Sequence, residues 1–332
     1  MILKQVKLLL LAAITMCCLT SSQKQISIFI IGDSTAADKK DPANNPERGW
    51  GMMLQGYFDE GVTVRNFAVN GRSSKSFMEE GRWNKVLEQI KPGDYVLIQF
   101  GHNDEKAGTD RYTIPGSTFD AYLSQYVRET REKGGIPVLL SSVVRRNFYQ
   151  HPDTNVDDES LRNTTYTDET INSDTLVDTH GAYKDVPAQL ANSLGTYYID
   201  ANKLTHDLEQ RLGVIGSRQL HMWFEPGEIP SIPEGRHDNT HYNVYGARCV
   251  ARLLADALGQ SIPKLRKHVV HFDYVVSAAG RGNFMQLQQA IDAAPTHTAI
   301  YVLDGQWNAS RHQLKDKKLK VITYPGASVH KY

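Results

Sequence analysis

The sequence predicts an α/β fold in which helices cover both faces of one parallel sheet. Short apolar segments alternate with longer segments whose apolar residues recur every three to four positions, which is typical of strand–helix–strand units. Several apolar segments run without polar alternation, as expected of strands that are buried on both faces. A chain of 332 residues has room for one large domain or two unequal ones.

Five strands and six helices are predicted before residue 260. The strands are the short apolar segments 26–31, 62–69, 95–100, 137–144 and 196–199. The helices are the amphipathic segments 50–58, 82–90, 119–133, 182–194, 201–212 and 243–258. Two connections are unusual: residues 147–178 are rich in Asp, Asn and Thr, and residues 213–236 are rich in aromatic residues and proline. Long connections are often functional, and we expect the second one to line a site.

Residues 1–22 are predicted to form a secretory signal peptide. Two lysines precede an apolar stretch that is shorter than the roughly 20 residues of a membrane-spanning helix, and small residues follow it. Cleavage there would leave Cys249 as the only cysteine, so we expect no intramolecular disulfide. We expect a secreted or periplasmic protein. Lipid anchoring through Cys17 is the less favoured alternative, because a large methionine precedes it.

Composition excludes some classes of partner. The formal net charge is zero, so the chain has no global basic field for nucleic acid and no polybasic tail for an anionic membrane. No group of His, Cys and Asp shows the spacing of metal ligands, and we expect neither a metal nor a cofactor. The oligomeric state is not predicted.

Two short motifs carry the chemistry. The segment Gly32-Asp-Ser-Thr35 follows the first predicted strand, at the end of the sheet where open α/β folds bind their ligands. The segment Asp238-Asn-Thr-His241 stands just before the last predicted helix. Residues three apart are neighbours on a helical turn, so Asp238 is expected to hold the His241 ring in one tautomer. Serine, histidine and aspartate in these roles make an acyl-transfer site.

Hydrogen-bond donors are predicted at the same edge of the sheet. Gly71 follows the second strand and Asn103 the third. An acyl transfer needs donors directed at the developing oxyanion, and the amides of Ser34 and Gly71 with the side-chain NH2 of Asn103 would supply three. Glycine at position 71 permits unusual backbone angles and a close approach.

In order along the chain, Gly32-Asp33-Ser34, Gly71, Gly101-x-Asn103 and Asp238-x-x-His241 resemble the four sequence blocks of the SGNH (GDSL-type) hydrolases. The resemblance spans about residues 26–258. It implies a flavodoxin-like three-layer α/β/α sandwich. It also implies that Ser34 is the nucleophile, His241 the general base and Asp238 its orienting group, with Ser34, Gly71 and Asn103 as the oxyanion hole.

Further segments are similar to those of rhamnogalacturonan acetylesterases: Arg48-Gly-Trp-Gly51, 143–148, 178–183 and 238–243. This resemblance implies a carbohydrate esterase that removes acetyl groups from a pectic polysaccharide or oligosaccharide through a covalent acyl-enzyme.

Candidate substrate contacts are three arginines and one tryptophan. Arg72, Arg145 and Arg146 follow predicted strand ends, where they could meet galacturonate carboxylates or simply form a solvated rim. Trp223 would stack on a sugar ring or pack its own loop. His102 is expected to pack beside Asn103 or to support it, and His180 is expected to be solvent-facing or structural.

A domain boundary is predicted near residues 260–267, between an esterase domain at 23–262 and a segment at 268–332. Residues 275–295 and Ile300-Tyr-Val-Leu-Asp-Gly305 resemble the opening of pectin methylesterases, which are parallel β-helices. The catalytic region of that family would lie later in such a chain, so we expect a truncated, incomplete β-helix-like segment. A coincidental strand–helix–strand unit is the alternative.

Two other functions remain open from the sequence. One is a lipid or thioester hydrolase of the same fold, which a Leu- and Phe-lined acyl pocket would favour. The other is a non-catalytic pectin-binding module, which has no need of a nucleophile. Release of acetate from pectin, compared with a Ser34→Ala protein, separates all three.

Overall fold

The computed structural model describes residues 25–150 and 171–332. The predicted signal peptide and the centre of the polar connection 147–178 lie outside these residues. Within them, five parallel strands form the central sheet in the order β3-β1-β4-β5-β6. These strands are β1 (Ile26–Gly32), β3 (Val62–Asn66), β4 (Tyr95–Gln99), β5 (Ile136–Leu140) and β6 (Tyr197–Ile199).

This strand order is that of the flavodoxin-like doubly wound folds and confirms the predicted fold class. The strand β1 is central: it pairs in parallel with β3 on one side and with β4 on the other. The carboxyl ends of these three strands are therefore neighbours, and the chain reverses its direction of winding at β1. Ligands of open α/β sheets bind at this kind of switch point.

Helices cover both faces of the sheet. They are α1 (Trp50–Met53), α2 (Ser74–Glu79), α3 (Arg82–Leu87), α4 (Thr118–Glu132), α5 (Val186–Leu194), α6 (Ala201–Gly216), α7 (Val244–Ser261) and α8 (Pro263–Arg266). The predicted helix 50–58 divides into α1 and a 3₁₀ turn at Leu54–Tyr57. The predicted helix 201–212 extends to Gly216 across Gly213, which has a non-helical backbone.

Alternate residues of each strand pack into two hydrophobic cores, one on each face of the sheet. In β1, Ile28 and Ile30 pack with α1 and α7 on one face, whereas Phe29 and Ile31 pack with α2, α3 and α4 on the other. All four side chains are fully buried. This explains the continuous apolar segments, because each face of a strand must be apolar when both are covered.

Two strands end earlier than predicted. The segments predicted at 62–69 and 137–144 leave the sheet at Asn66 and Leu140. The apolar residues continue because Val143 and Val144, beyond the end of β5, are also completely buried. Burial without sheet pairing accounts for the difference.

A small antiparallel sheet flanks the carboxyl edge of the central sheet. It contains β2 (Glu47–Arg48), β8 (Arg236–Asn243) and β7 (His221–Phe224), in that order. Both of the latter strands fall in or beside the aromatic- and proline-rich connection 213–236. The strand β8 leads directly into α7, whose first turn is capped by the side chain of Asn243.

The C-terminal residues form two small parallel sheets, one of β12-β10-β9 and one of β11-β13. The strands are β9 (Tyr274–Val276), β10 (Ala299–Val302), β11 (Gln306–Ala309), β12 (Lys320–Thr323) and β13 (Ser328–Lys331), with helices α9 (Leu287–Ala293) and α10 (Arg311–Asp316) between them. They enclose their own core, which includes Val276, Ile291 and Val302. The predicted boundary near 260–267 precedes these sheets and stays a prediction.

Hydrogen bonds join the C-terminal sheets to the sandwich. Tyr301 Oη donates to the carbonyl of Phe58 at 3.0 Å, and Tyr324 Oη donates to that of Val62 at 2.9 Å. In the described residues no helix is long and apolar enough to cross a membrane.

Candidate active site

Ser34 lies in the turn that follows β1, at the carboxyl edge of the sheet. Gly32 ends this strand, and a Cβ atom there would lie 2.7 Å from the backbone oxygen of Gln99 in β4. The close approach of the two strands therefore requires glycine. The Ser34 side chain is partly exposed, and its Oγ lies 2.9 Å from Nε2 of His241.

Asp33 fixes the backbone of the same turn. Its Oδ1 accepts hydrogen bonds from the amide and the hydroxyl of Thr35, at 2.9 and 2.7 Å, and its Oδ2 lies 3.1 Å from Nδ1 of His102. Burial alone would raise the pKa of this carboxyl group, but His102 and Thr35 lower it to about 2. The charged carboxylate thus ties the serine turn to the loop that carries Asn103.

Asp238 and His241 lie within β8, so the helical turn predicted for this pair is wrong. A turn closed by the Asp238 side chain brings the two residues together instead. Asp238 Oδ1 accepts hydrogen bonds from the amides of Thr240 and His241, at 2.8 and 2.9 Å. The other oxygen, Oδ2, lies 2.8 Å from Nδ1 of His241. The structure therefore brings Ser34, His241 and Asp238 into one continuous hydrogen-bonded chain.

The Asp238 carboxyl group is held in its charged form. Burial would raise its pKa, but the hydrogen bond and charge of His241 and the charge of Arg236 hold the pKa well below its usual range. A carboxylate at this point accepts the Nδ1–H of His241 and leaves Nε2 as the proton acceptor that faces Ser34.

The three expected oxyanion donors lie on neighbouring loops. Gly71 has a φ angle of 73°, in the left-handed region that favours glycine. Within residues 25–150 and 171–332, neither the Ser34 amide nor the Gly71 amide donates a hydrogen bond. Asn103 is 4% exposed, and its Nδ2 donates to the carbonyl of Arg72 at 3.2 Å. That bond fixes the amide group and leaves its second N–H available.

Two of the three predicted substrate arginines are interior residues, so the alternative of a solvated rim is wrong for these two, and their contact with substrate stays a prediction. Arg145 is 3% exposed, and its NH2 lies 2.5 Å from Oε1 of Glu105. Arg146 is 2% exposed and donates to Ser217 Oγ and Asn239 Oδ1, both at 2.9 Å. The apolar segment that ends β5 continues inward, so side chains just after it enter the protein. Both guanidinium groups therefore hold loops together.

His102 and His180 both have structural surroundings. His180 is 1% exposed, and its ring lies between the NH1 group of Arg145, at 3.1 Å from Nε2, and Oδ1 of Asp178, at 3.1 Å from Nδ1. The His102 and His180 rings meet edge to face, with centroids 4.7 Å apart. These contacts stabilise the loops behind the serine turn.

Trp223 packs against its own loop, and its sugar-stacking role stays a prediction. Its ring stacks on His237, with centroids 4.3 Å apart and planes 7° apart. The guanidinium carbons of Arg146 and Arg218 lie 4.8 and 4.6 Å from its centroid. Three protein side chains therefore contact the Trp223 ring.

Arg72 remains at the site, and Arg111, which sequence reasoning missed, lies beside it. Arg72 has a side chain that is 32% exposed and pairs with Glu80 at 3.0 Å. Arg111 NH1 lies 3.5 Å from Oδ1 of Asn103, and a Cβ added at Gly71 would lie 3.8 Å from the same NH1. Arg111 falls in an irregular loop with no periodic pattern, and only its short distance from Asn103 in the sequence signals its position.

No group of three or more His, Cys, Asp or Glu side chains that could hold a metal ion occurs in the described part of the chain. Cys249, on α7, is a half-buried free thiol.

Burial of His102 predicts a pH dependence of stability. Burial, with a smaller effect of Arg145, lowers the pKa of His102 to about 4 against the partly opposing effect of Asp33. An unfolded histidine binds a proton near pH 6.5. Between about pH 6.5 and 4 the unfolded chain therefore binds more protons, so this group makes the fold less stable as the pH falls.

We expect a His102→Asn protein to lose less stability than the wild type when the pH is lowered from 7 to 4.5. Asp104 acts in the opposite direction, because burial raises its pKa to about 7, but it is present in both proteins and its contribution cancels in the comparison. Urea unfolding at the two pH values measures it. An identical change in the free energy of unfolding for both proteins would show that His102 is not a buried neutral group.

Comparisons with known proteins agree with this geometry. The sequence profile of the GDSL-like Lipase/Acylhydrolase family matches residues 30–249. The rhamnogalacturonan acetylesterase RhgT of Bacillus subtilis is 40% identical over 248 residues, which cover 75% of this chain and 96% of RhgT. The rhamnogalacturonan acetylesterase of Emericella nidulans is 32% identical over 158 residues, which cover 42% of this chain and 60% of that protein.

A solved structure also resembles this one. The crystal structure of the B. subtilis protein YxiM superimposes with a TM-score of 0.54 at 25% identity, over 71% of this chain and 57% of that chain. The family profile covers most of the sandwich, from the middle of β1 into α7. The chain therefore belongs to the GDSL-like lipase/acylhydrolase family and is a serine hydrolase that acts on carboxylic esters.

Proposed function

We propose that this protein removes acetyl groups from acetylated pectin of the rhamnogalacturonan type through a covalent acetyl-enzyme on Ser34. The observation that carries the mechanism is the 2.9 Å contact between Ser34 Oγ and Nε2 of His241, backed by Asp238 at 2.8 Å. A base within hydrogen-bond reach of a hydroxyl group is what converts serine into a nucleophile.

In the first half of the reaction, Ser34 Oγ attacks the acetyl carbonyl carbon while its proton passes to Nε2 of His241. The carbonyl oxygen becomes an oxyanion, which accepts hydrogen bonds from the amides of Ser34 and Gly71 and from Nδ2 of Asn103. The C–O bond to the sugar then breaks, and His241 gives its proton to the leaving sugar oxygen. Asp238 stabilises the imidazolium that forms between these two steps.

In the second half, water gives a proton to His241 and attacks the acetyl carbon of acetyl-Ser34. The same donors hold the second oxyanion. The bond to Ser34 Oγ breaks, Oγ takes the proton back from His241, and acetate leaves. In each half the acetyl group moves to a new oxygen and His241 ends neutral again, so the reaction needs no reactant besides the ester and water.

The proposed substrate rests on the relatives and on two cationic side chains at the site. Two proteins named rhamnogalacturonan acetylesterases are among the relatives, and one of them matches over 96% of its length. Arg72 follows Gly71 in the chain, and its carbonyl accepts a hydrogen bond from Asn103. The guanidinium group of Arg111 lies beside both Gly71 and Asn103. Galacturonate carries a carboxylate in every unit, and arginine binds carboxylates through charge-assisted hydrogen bonds.

We also propose that the protein is exported. A polymeric plant polysaccharide is met outside the cell, and the first 22 residues have the lysine-led apolar pattern of a signal peptide. Determining the N-terminal residue of the protein recovered from its native cells tests this proposal. Cleavage before Gln23 is expected, and an intact Met1 would contradict export by this signal.

Substrate preference is tested with a panel of acetate-release assays. The purified protein is given acetylated rhamnogalacturonan oligosaccharides, acetylated xylan and a long-chain fatty acyl ester at equal ester concentration. We expect the highest kcat/KM on the rhamnogalacturonan substrate. A preference for the fatty acyl ester would establish the lipid hydrolase alternative, and binding without acetate release would establish a non-catalytic module.

The role of Arg111 gives a separate prediction. Arg111→Gln should lower kcat/KM on acetylated rhamnogalacturonan roughly 10- to 100-fold, since a hydrogen bond to a charged group contributes about 1.5–3 kcal/mol. The loss should fall mainly on KM. Arg128→Gln, which changes a side chain that is 61% exposed on α4, is the matched control.

Hydrolysis of p-nitrophenyl acetate, a neutral ester, completes this test. The Arg111→Gln protein should hydrolyse it nearly as fast as the wild type. An equal loss on both substrates would mean that Arg111 acts by holding Asn103 and not by binding a carboxylate.

A further inference from the structure

Three charged side chains outside the Ser34–His241–Asp238 chain form a connected ionic path around it. Lys39 Nζ lies 2.8 Å from Oε1 of Glu47, and Glu47 Oε2 lies 2.7 Å from NH1 of Arg236. Arg236 NH2 lies 2.5 Å from Oδ2 of Asp238. The path therefore runs from Lys39 through Glu47 to Arg236, and Arg236 contacts Asp238.

The first end of the path holds the nucleophile and the oxyanion loop. The Lys39 side chain is 2% exposed. Besides Glu47, its ammonium group donates to the carbonyl of Ser34 at 2.6 Å and to Oδ1 of Asn70 at 2.8 Å. All three donors of this lysine are used, and Asn70 immediately precedes Gly71. One side chain thus fixes the position of two segments that must face the same carbonyl group.

The middle of the path is Glu47 on β2. Its side chain is 11% exposed. Burial would raise its pKa, but His241, Lys39 and Arg236 together lower it, so the group is a carboxylate at neutral pH. β2 pairs with β8, with Glu47 opposite Asn243, so the backbone carries this carboxylate beside the histidine segment.

The second end of the path holds the base. Arg236 NH2 contacts Oδ2 of Asp238, the same oxygen that lies 2.8 Å from Nδ1 of His241. The same NH2 lies 3.4 Å from that ring nitrogen. Because Asp238 Oδ1 accepts backbone amides, both carboxylate oxygens are fixed, and rotation of the carboxylate away from the imidazole would break several bonds at once.

We infer that Lys39, Glu47 and Arg236 are positioning residues that set the distance between Ser34 and His241. This inference rests on the proposed function. The path closes on itself: Ser34 is held through its carbonyl by Lys39 and through its hydroxyl by His241. The path has two cations and one carboxylate, and its excess positive charge is balanced by the carboxylate of Asp238. Buried ion pairs are seldom the most stable way to fill a protein interior, which favours a role in geometry.

The decisive variant is Glu47→Gln, which leaves both cations without their shared carboxylate. We expect kcat on p-nitrophenyl acetate and on acetylated rhamnogalacturonan to fall about 10- to 100-fold, because a misplacement of about 1 Å in a reacting group can cost about 100-fold. KM should change little, since both oxygens of Glu47 are engaged by Lys39 and Arg236. The combined loss in kcat of the double variant Lys39→Met/Glu47→Gln should be smaller than the product of the two single losses, because the effects of groups in one network are not additive.

A matched control separates positioning from general loss of stability. Glu129→Gln removes a partly buried carboxylate of α4 that accepts a hydrogen bond from Trp83, far along the chain from the site. It should reduce the thermal midpoint and leave kcat unchanged. If Glu47→Gln does not fold, Arg236→Gln replaces it, since that side chain is 34% exposed and its loss need not unfold the protein. A kcat reduced at least about 10-fold is expected for Arg236→Gln as well.

The outcomes distinguish the two proposals. If the folded Glu47→Gln or Arg236→Gln protein keeps the kcat of the wild type, with or without a higher KM, the positioning inference is wrong and the proposed function stands. If the wild type releases no acetate, or if the Ser34→Ala protein releases acetate as fast as the wild type, the proposed function itself is wrong.

Discussion

Ser34→Ala and His241→Ala should each lower kcat for acetyl ester hydrolysis roughly 10⁴- to 10⁶-fold. The reason is geometric: Ser34 Oγ and His241 Nε2 are 2.9 Å apart, and each group is useless to the reaction without the other. The double variant should therefore cost little more than either single one, because the two act as a unit. Initial rates of acetate release measure all three.

Folding must be checked separately for these variants. Ser34 is only partly buried, and alanine removes one hydroxyl group, so the thermal midpoint should stay close to that of the wild type. Wild-type activity in a purified, folded Ser34→Ala protein would rule out a serine esterase. Additive losses in the double variant would indicate that the two residues act in different steps.

Asn103→Ala should lower kcat by about 10²–10³, equivalent to about 3–4 kcal/mol of transition-state stabilisation. Its Nδ2 group is fixed by the Arg72 carbonyl at 3.2 Å, so it is oriented before the oxyanion forms. A donor that acts on the developing charge affects kcat and leaves substrate binding nearly unchanged.

Asn192→Ala, at an exposed position on α5, is the control for this change and should keep full activity. An effect of Asn103→Ala confined to KM would make Asn103 a binding residue. The oxyanion hole would then consist of the two backbone amides.

The central sheet could be predicted because both of its faces are covered. Strands such as β1 and β4 contain runs of four consecutive apolar residues, at 28–31 and 95–98, and short apolar segments between amphipathic ones have few other interpretations. The ends of the strands are harder to predict. The apolar segment after β5 continues through Val143 and Val144 because these residues are buried outside the sheet, and hydropathy does not distinguish the two situations.

The site was predictable where function depends on short motifs. Ser34, Asp238 and His241 are marked by their neighbours in sequence, and the structure brings their side chains together. The local conformation differs from the predicted one, because the Asp238–His241 contact arises from a side-chain turn in a strand and not from a helix. A three-residue spacing fits both conformations.

Charged residues without a motif could not be assigned from the sequence. Arg145 and Arg146 follow a strand end as a substrate-binding residue would, yet they point inward to Glu105 and Ser217. Conversely, Glu47 and Arg236 form an ion pair across 189 positions, and nothing local to either residue indicates its partner. Side-chain direction and long-range pairing depend on the folded chain.

The most direct test of acyl transfer through Ser34 is to trap the acetyl-enzyme. The protein is mixed rapidly with p-nitrophenyl acetate, quenched in acid and analysed by intact mass and peptide mapping. We expect the mass of one acetyl group on the peptide that contains Ser34, and none on the Ser34→Ala protein. Turnover of the ester with no acetyl group on Ser34, or with the acetyl group on another residue, would contradict acyl transfer through this serine.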